Sequence, residues 1–140
     1  SRLSDSMRQD KWHKKYEAIC MGKLPYYTTL VDYLVKDERS NTSKVTSKEK
    51  GKYAELSFEL IEEINDLYHV RIDLKTGRSH QIRVQFASRN CPLWGDQRYN
   101  PEAKAGQQIA LWACELSFPH PITKEIVSFS SKPPQLYPWV

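Results

Sequence analysis

Hydrophobic and polar positions alternate most strictly from Tyr53 to Glu63: Ala54, Leu56, Phe58 and Leu60 face one way, Glu55, Ser57 and Glu59 the other. A period of two marks a strand with one wet face. Tyr68, Val70, Ile72 and Leu74 repeat the pattern after Asn65-Asp66, a pair suited to a tight hairpin turn. Lys15 to Met21 reads as a strand with Tyr16, Ala18 and Cys20 on one face, and Thr28 to Val35 as another, rich in β-branched and aromatic residues. Ile109 to Phe118 and Glu125 to Ser130 form a last pair around a His120-Pro121 turn. The period becomes helical from Ser79 to Arg89, with Ile82 and Phe86 at i, i+4 and Ser79 as the expected N-cap. Ser1 to Lys11 reads as the end of a helix, with Leu3 and Met7 at i, i+4, and Asp37 to Lys52 as a polar loop with a short strand around Val45. The expected fold class is α+β, a mainly antiparallel mixed sheet with one or two helices in a single domain over residues 1–140.

Composition narrows the class. At 140 residues there is room for one core. No apolar run approaches the roughly 18–20 residues that span a bilayer, so no membrane partner is expected. Cys20, Cys91 and Cys114 are odd in number and show no CxxC spacing, which favours buried free thiols in a reducing cytoplasm over disulfides or a metal site.

The net charge of +4 matters less than its distribution. Arg71, Lys75, Arg78, Arg83, Arg89 and Arg98 stand against only Asp73 and Asp96 in their stretch, a local cationic field suited to a polyanion. A solvated charged face explains the same charges equally well.

Chemistry concentrates in Lys75 to Tyr99, KTGRSHQIRVQFASRNCPLWGDQRY. Arg83 has Phe86 and Ala87 at i+3 and i+4, so it either snorkels outward or pairs with an anion in a semi-buried site. Gly77 allows a positive φ or a close approach by nucleic-acid backbone, or else is a plain hairpin exit. His80 reads as a structural hydrogen-bonder, with no carboxylate or thiolate at ligand spacing. Asp96, in the Gly95-Asp96 turn, reads as a cap for local backbone groups. Tyr16 and Leu111, taken alone, read as core residues of their strands.

The order TG-R-S-HQIR-V and then P-L-W-GD-Q-R-Y resembles the signature of the RluA-type family of RNA pseudouridine synthases. Lys14-Lys15-Tyr16-Glu17-Ala18 is similar to that family's Lys-x-Tyr-x-Ala strand. Leu111-Trp112-Ala113 with Leu116 to Pro121 is similar to its Leu-His-Ala strand and His-Pro turn, with Trp112 standing where the family has histidine. Pro133-Pro134 and Tyr137-Pro138-Trp139 are similar to its C-terminus.

The resemblance implies part of the pseudouridine synthase catalytic fold. It implies an isomerase that turns uridine into its C-glycoside isomer in ribosomal or transfer RNA, with no cofactor and no metal. It makes Arg83 the partner of a catalytic aspartate, Tyr16 the base-stacking residue and proton acceptor, and Leu111 the apolar wall against the base. Lys75, Arg78, His80 and Gln81 would hold RNA phosphates and shape the pocket. The residue types suit the task. A flipped base needs stacking and apolar contacts, and a guanidinium aims a carboxylate with planar donors.

The family's nucleophile sits in a His-Arg-Leu-Asp segment, and these 140 residues contain none. In Arg2-Leu3-Ser4-Asp5 the aspartate is displaced by one position and lies only 11 residues before Tyr16. Asp10, Asp32, Asp37, Asp66, Asp73 and Asp96 all lie outside such a motif. The expectation is therefore the C-terminal part of a catalytic domain, inactive alone, which associates with itself through an exposed sheet edge. Two readings compete with it: a non-catalytic RNA-binding module on the same scaffold, and an unrelated interaction domain whose basic helix is only solvated.

Overall fold

The computed structural model describes residues 12–140, so the helix expected over Ser1 to Lys11 lies outside the described residues. Seven strands, β1 (His13–Met21), β2 (Tyr27–Asp37), β3 (Thr42–Thr46), β4 (Lys52–Ile64), β5 (Leu67–Leu74), β6 (Leu111–Pro119) and β7 (Ile126–Ser130), accompany one helix, α1 (Gln81–Ala87). They form a single sheet in the order β3-β2-β4-β5-β1-β6-β7, with every neighbouring pair antiparallel. The α+β expectation holds. Strands β3 and β7 are the outer strands.

The β4–β5 hairpin shows why the alternation folds as it does. Asn65 and Asp66 both adopt left-handed backbone, with φ of 50° and 65°, a turn whose twist matches that of the strands. The resulting register sets Leu56 against Leu74, Phe58 against Ile72 and Leu60 against Val70, so the apolar residues share one face. Strand β1 lies far from its neighbours β5 and β6 in order of chain yet between them in space. Tyr16 pairs with Ile72 and Ala113, and Ala18 with Val70 and Leu111.

The apolar face packs against α1. Ala18, Leu56, Phe58, Val70 and Ile72 meet Ile82 and Phe86 of the helix, with the Phe58 and Phe86 rings 5.2 Å apart. Phe86 is wholly buried, which stabilises the helix on the sheet by roughly 1.5–3 kcal/mol for its side chain alone. Val84 fills a smaller cluster with Leu34 and Ala54. Cys20, Cys91 and Cys114 are free and buried. Burial pushes all three thiols above their ordinary pKa.

The opposite face is polar. Glu17 meets His69 at 2.7 Å, and Arg71 meets Glu115 at 3.0 Å. The C-terminal residues cross this face: Trp139 sets its edge on His69, and Ser131 Oγ accepts Trp112 Nε1–H at 3.3 Å. Among the described residues, no helix is long and apolar enough to cross a membrane.

Candidate active site

The turn before α1 corrects the expected helix start. Ser79 does not cap the helix. His80 occupies the N-cap position with φ 55° and makes no side-chain cap. The cause is Gln81. Its Oε1 accepts Thr76 Oγ1–H at 2.7 Å and Arg78 N–H at 3.0 Å, while its Nε2 donates to Glu55 O at 3.1 Å and Gln85 Oε1 at 2.9 Å. A buried amide satisfied on both ends staples the Thr76-Gly77-Arg78 turn to β4, so the helix begins one residue later than expected. Gln81 is thus placed inside the fold, where it shapes the turn.

Around that turn the other motif residues come into reach. Gly77 does not have positive φ, and a side-chain carbon there would meet only Lys14 Nζ, at 3.6 Å. The Lys14-x-Tyr16 strand and the Thr76-Gly77-Arg78 turn are therefore adjacent, with the Lys14 ammonium beside the glycine. Arg78 Nε donates to Tyr53 O at 2.7 Å, which fixes its guanidinium. Lys75 is half exposed and lies 3.6 Å from Asp73.

Arg83 is not left unpaired. Its Nε donates to Asp96 Oδ2 at 3.0 Å and its Nη2 to Asp96 Oδ1 at 2.7 Å, a planar two-point pair. Asp96 is fully buried and also accepts the backbone N–H groups of Arg98 and Tyr99, so it serves as turn cap and ion partner at once. Gly95 makes this possible: its φ is 76°, and any side chain there would collide with the Gln108 carbonyl. Sequence reasoning placed Arg83 opposite a carboxylate but missed Asp96 in that role. The available signal was the Gly-Asp-x-x-Tyr spacing that carries Asp96 and Tyr99 together.

Tyr99 extends the cluster. The Arg83 guanidinium lies 5.1 Å from the centre of its ring. Its hydroxyl accepts Ser43 N–H at 2.8 Å and lies 2.7 Å from His80 Nδ1. Burial, reinforced by the nearby Arg83 and Arg98, lowers the His80 pKa below its ordinary value, so the ring is neutral at pH 7. A neutral His80 that accepts the phenol proton at Nδ1 carries its own proton on Nε2.

Tyr16 and Leu111 are half-buried and pack on the core cluster that includes Ile82 and Phe86. The β1 register puts both on the α1 side of the sheet. Ala110, just before Leu111, donates its N–H to Trp94 O at 2.8 Å, two residues before Asp96. Trp112 pairs with Glu17 and so belongs to the opposite face. A cavity of about 670 Å³ is also on that opposite face and includes none of Tyr16, Arg83 and Leu111. Size alone does not locate the chemistry; the motif residues gather on the α1 side. No cluster of three or more potential metal ligands occurs among the described residues.

A family model described as RNA pseudouridylate synthase matches residues 1–88. The ribosomal large subunit pseudouridine synthase D of Blochmanniella floridana is 32% identical over 95% of this chain and 46% of its own length. The dual-specificity RNA pseudouridine synthase RluA of Pasteurella multocida is 33% identical over 94% of this chain and 62% of its own. The chain thus spans about half the length of the curated relatives it matches. The structure of human RNA pseudouridylate synthase domain containing 1 superposes with a TM-score of 0.84 at 20% identity, over 96% of this chain and 60% of that one, a likeness of fold. With the motif face assembled as described and the family model matching more than half of its length, the chain belongs to the RluA-type family of RNA pseudouridine synthases.

Proposed function

We propose that the chain forms the arginine–tyrosine side of a uridine pocket in an enzyme that isomerises uridine to pseudouridine in ribosomal or transfer RNA. The observation that carries this reading is the Arg83–Asp96 pair. Asp96 takes the Nε and Nη2 edge of the guanidinium, and among the described residues no protein group bonds to Nη1. Arg83 is thus held in a fixed plane with a donor left for a second carboxylate. Tyr16 offers a ring for the extruded base and a hydroxyl able to accept or relay a proton, and Leu111 an apolar wall.

The reaction exchanges the bond between C1′ and N1 of uracil for one between C1′ and C5, while C5 gives up its proton and N1 takes one up. In this reading the nucleophilic aspartate belongs to a segment outside these 140 residues, and the chain alone is inactive. His80 Nε2–H, Arg78 and Lys75 face the RNA, while Gln81 holds the turn that presents them. The cytoplasm is the compartment this reading implies.

The test is pseudouridine formation on a structured RNA by a longer protein that joins this chain to a His-Arg-Leu-Asp segment. Arg83→Lys in that protein should lower the rate far more than RNA affinity, because lysine keeps the charge and loses the planar fork. Equal losses would make Arg83 a phosphate contact. Turnover by the 140-residue chain alone would overturn the division of the site.

The non-catalytic RNA-binding module keeps one observation in its favour: Asp96 satisfies Arg83 without any nucleophile. An upstream segment lacking the catalytic aspartate would decide for it.

A further inference from the structure

The α1 side of the sheet carries a second feature beyond the uridine pocket. Strand β2, the β3 strand beside it and the Thr76-Gly77-Arg78 turn enclose a groove of about 330 Å³, lined by Lys36, Ser43, Lys50, Lys52, Gly77 and Arg78 among others. Glu38 is the one acidic residue on its wall, and it lies at 3.6 Å from Lys36. Lys36, Lys50 and Lys52 are exposed. The register gives the reason for their convergence. Lys36 pairs with Ser43, and Leu34 with both Val45 and Lys52, so alternation puts Lys36 and Lys52 on the same face as buried Leu34.

We propose that this groove binds the sugar-phosphate backbone of the RNA next to the flipped uridine, an assignment that rests on the reading given above. Three features favour a polyanionic strand. The cations outnumber the acid, and Arg78 is held by Tyr53 O through Nε; among the described residues no protein group bonds to its two terminal nitrogens, which are left for phosphate oxygens. Gly77 borders the groove, and Lys14 Nζ lies 3.6 Å from where its Cβ would be, so the cationic lining continues past the turn to β1.

The groove is also tied to the catalytic cluster. Ser43 N–H donates to Tyr99 Oη, and Arg98 Nη1 donates to Ser40 O at 2.8 Å. Tyr99 in turn lies against Arg83 and His80. Strand β3 and the site arginine thus share Tyr99, and a strand seated in the groove has a fixed register relative to Arg83.

The test uses the 140-residue chain and a fluorescent RNA hairpin, with dissociation constants measured across salt concentrations. The triple variant K36A/K50A/K52A should reduce the slope of log affinity against log salt by about three, one per lost phosphate contact. The control K104A/K124A/K132A removes the same charge elsewhere and should leave the slope unchanged. Circular dichroism and a matching thermal midpoint check that both variants fold. Wild-type binding with an unchanged slope in the first triple overturns the groove and leaves the enzyme reading intact. Equal reductions in both triples, or displacement of RNA by polyglutamate at equal charge concentration, make the surface a diffuse cation field and overturn it as well. Failure of the wild-type chain to bind RNA overturns the groove and weakens the RNA reading itself.

Discussion

The two faces of the sheet use the same strands and each holds an arginine–carboxylate pair, yet the pairs differ in kind. On the α1 side, Arg83 is one-fifth exposed and Asp96 not at all, and the pair has two aligned hydrogen bonds plus two backbone donors on the same carboxylate. On the opposite face, Arg71 and Glu115 are each more than a third exposed and meet through one bond. The first arrangement fixes a guanidinium in space. The second is the kind of surface pair that water and salt largely screen. Burial and geometry, and not the presence of an ion pair, separate a built site from a solvated face.

That comparison can be broken most sharply at Asp96. Asp96→Asn leaves Arg83 without its charge partner in a water-poor setting, and should cost about 3 kcal/mol, the lower end of the range for a broken buried pair because Arg83 keeps some solvent contact. Urea unfolding measures it; a loss below about 1 kcal/mol would equate the two faces. Glu115→Gln on the other face should change stability by less than about 1 kcal/mol, and that small change should vanish in high salt. A larger, salt-insensitive loss would show that the polar face is organised too.

The smallest expected effect concerns pH. The folded-state pKa of His80 is lowered, so below about pH 6.5 the unfolded chain binds more protons and stability falls as pH drops towards the folded value. His80→Asn, which tolerates the left-handed backbone at that position, should flatten this dependence between about pH 7 and pH 5. Identical pH profiles for the two proteins would show that the Tyr99–Arg83 surroundings do not hold the ring neutral.

Much of the sheet was legible because strand alternation and turn chemistry are local. The β4–β5 hairpin follows from Ala54 to Leu60, Tyr68 to Leu74 and a turn pair that accepts positive φ. The helix start was misread because the decisive group, Gln81, lies inside the helix and acts backwards on Thr76 and Arg78. Local propensity favours Ser79 as cap, and a side-chain network overrides it. The place of β1 between β5 and β6 is non-local and has no periodic signal. The Arg83–Asp96 pair spans 13 residues and depends on the path that Gly95 permits, so spacing alone could suggest a partner for Arg83 without identifying this one.

The order of the strands has a consequence for motion. Strand β1, which carries Tyr16, is hydrogen-bonded on both flanks by β5 and β6, while β3 lies at the rim and is bonded on one flank only. Amide protons of β1 therefore exchange with solvent only through large-scale opening, while those of β3 escape by local fraying. Tyr16 therefore stands on one of the stiffest strands of the sheet, while the rim at β3 is where the sheet yields first.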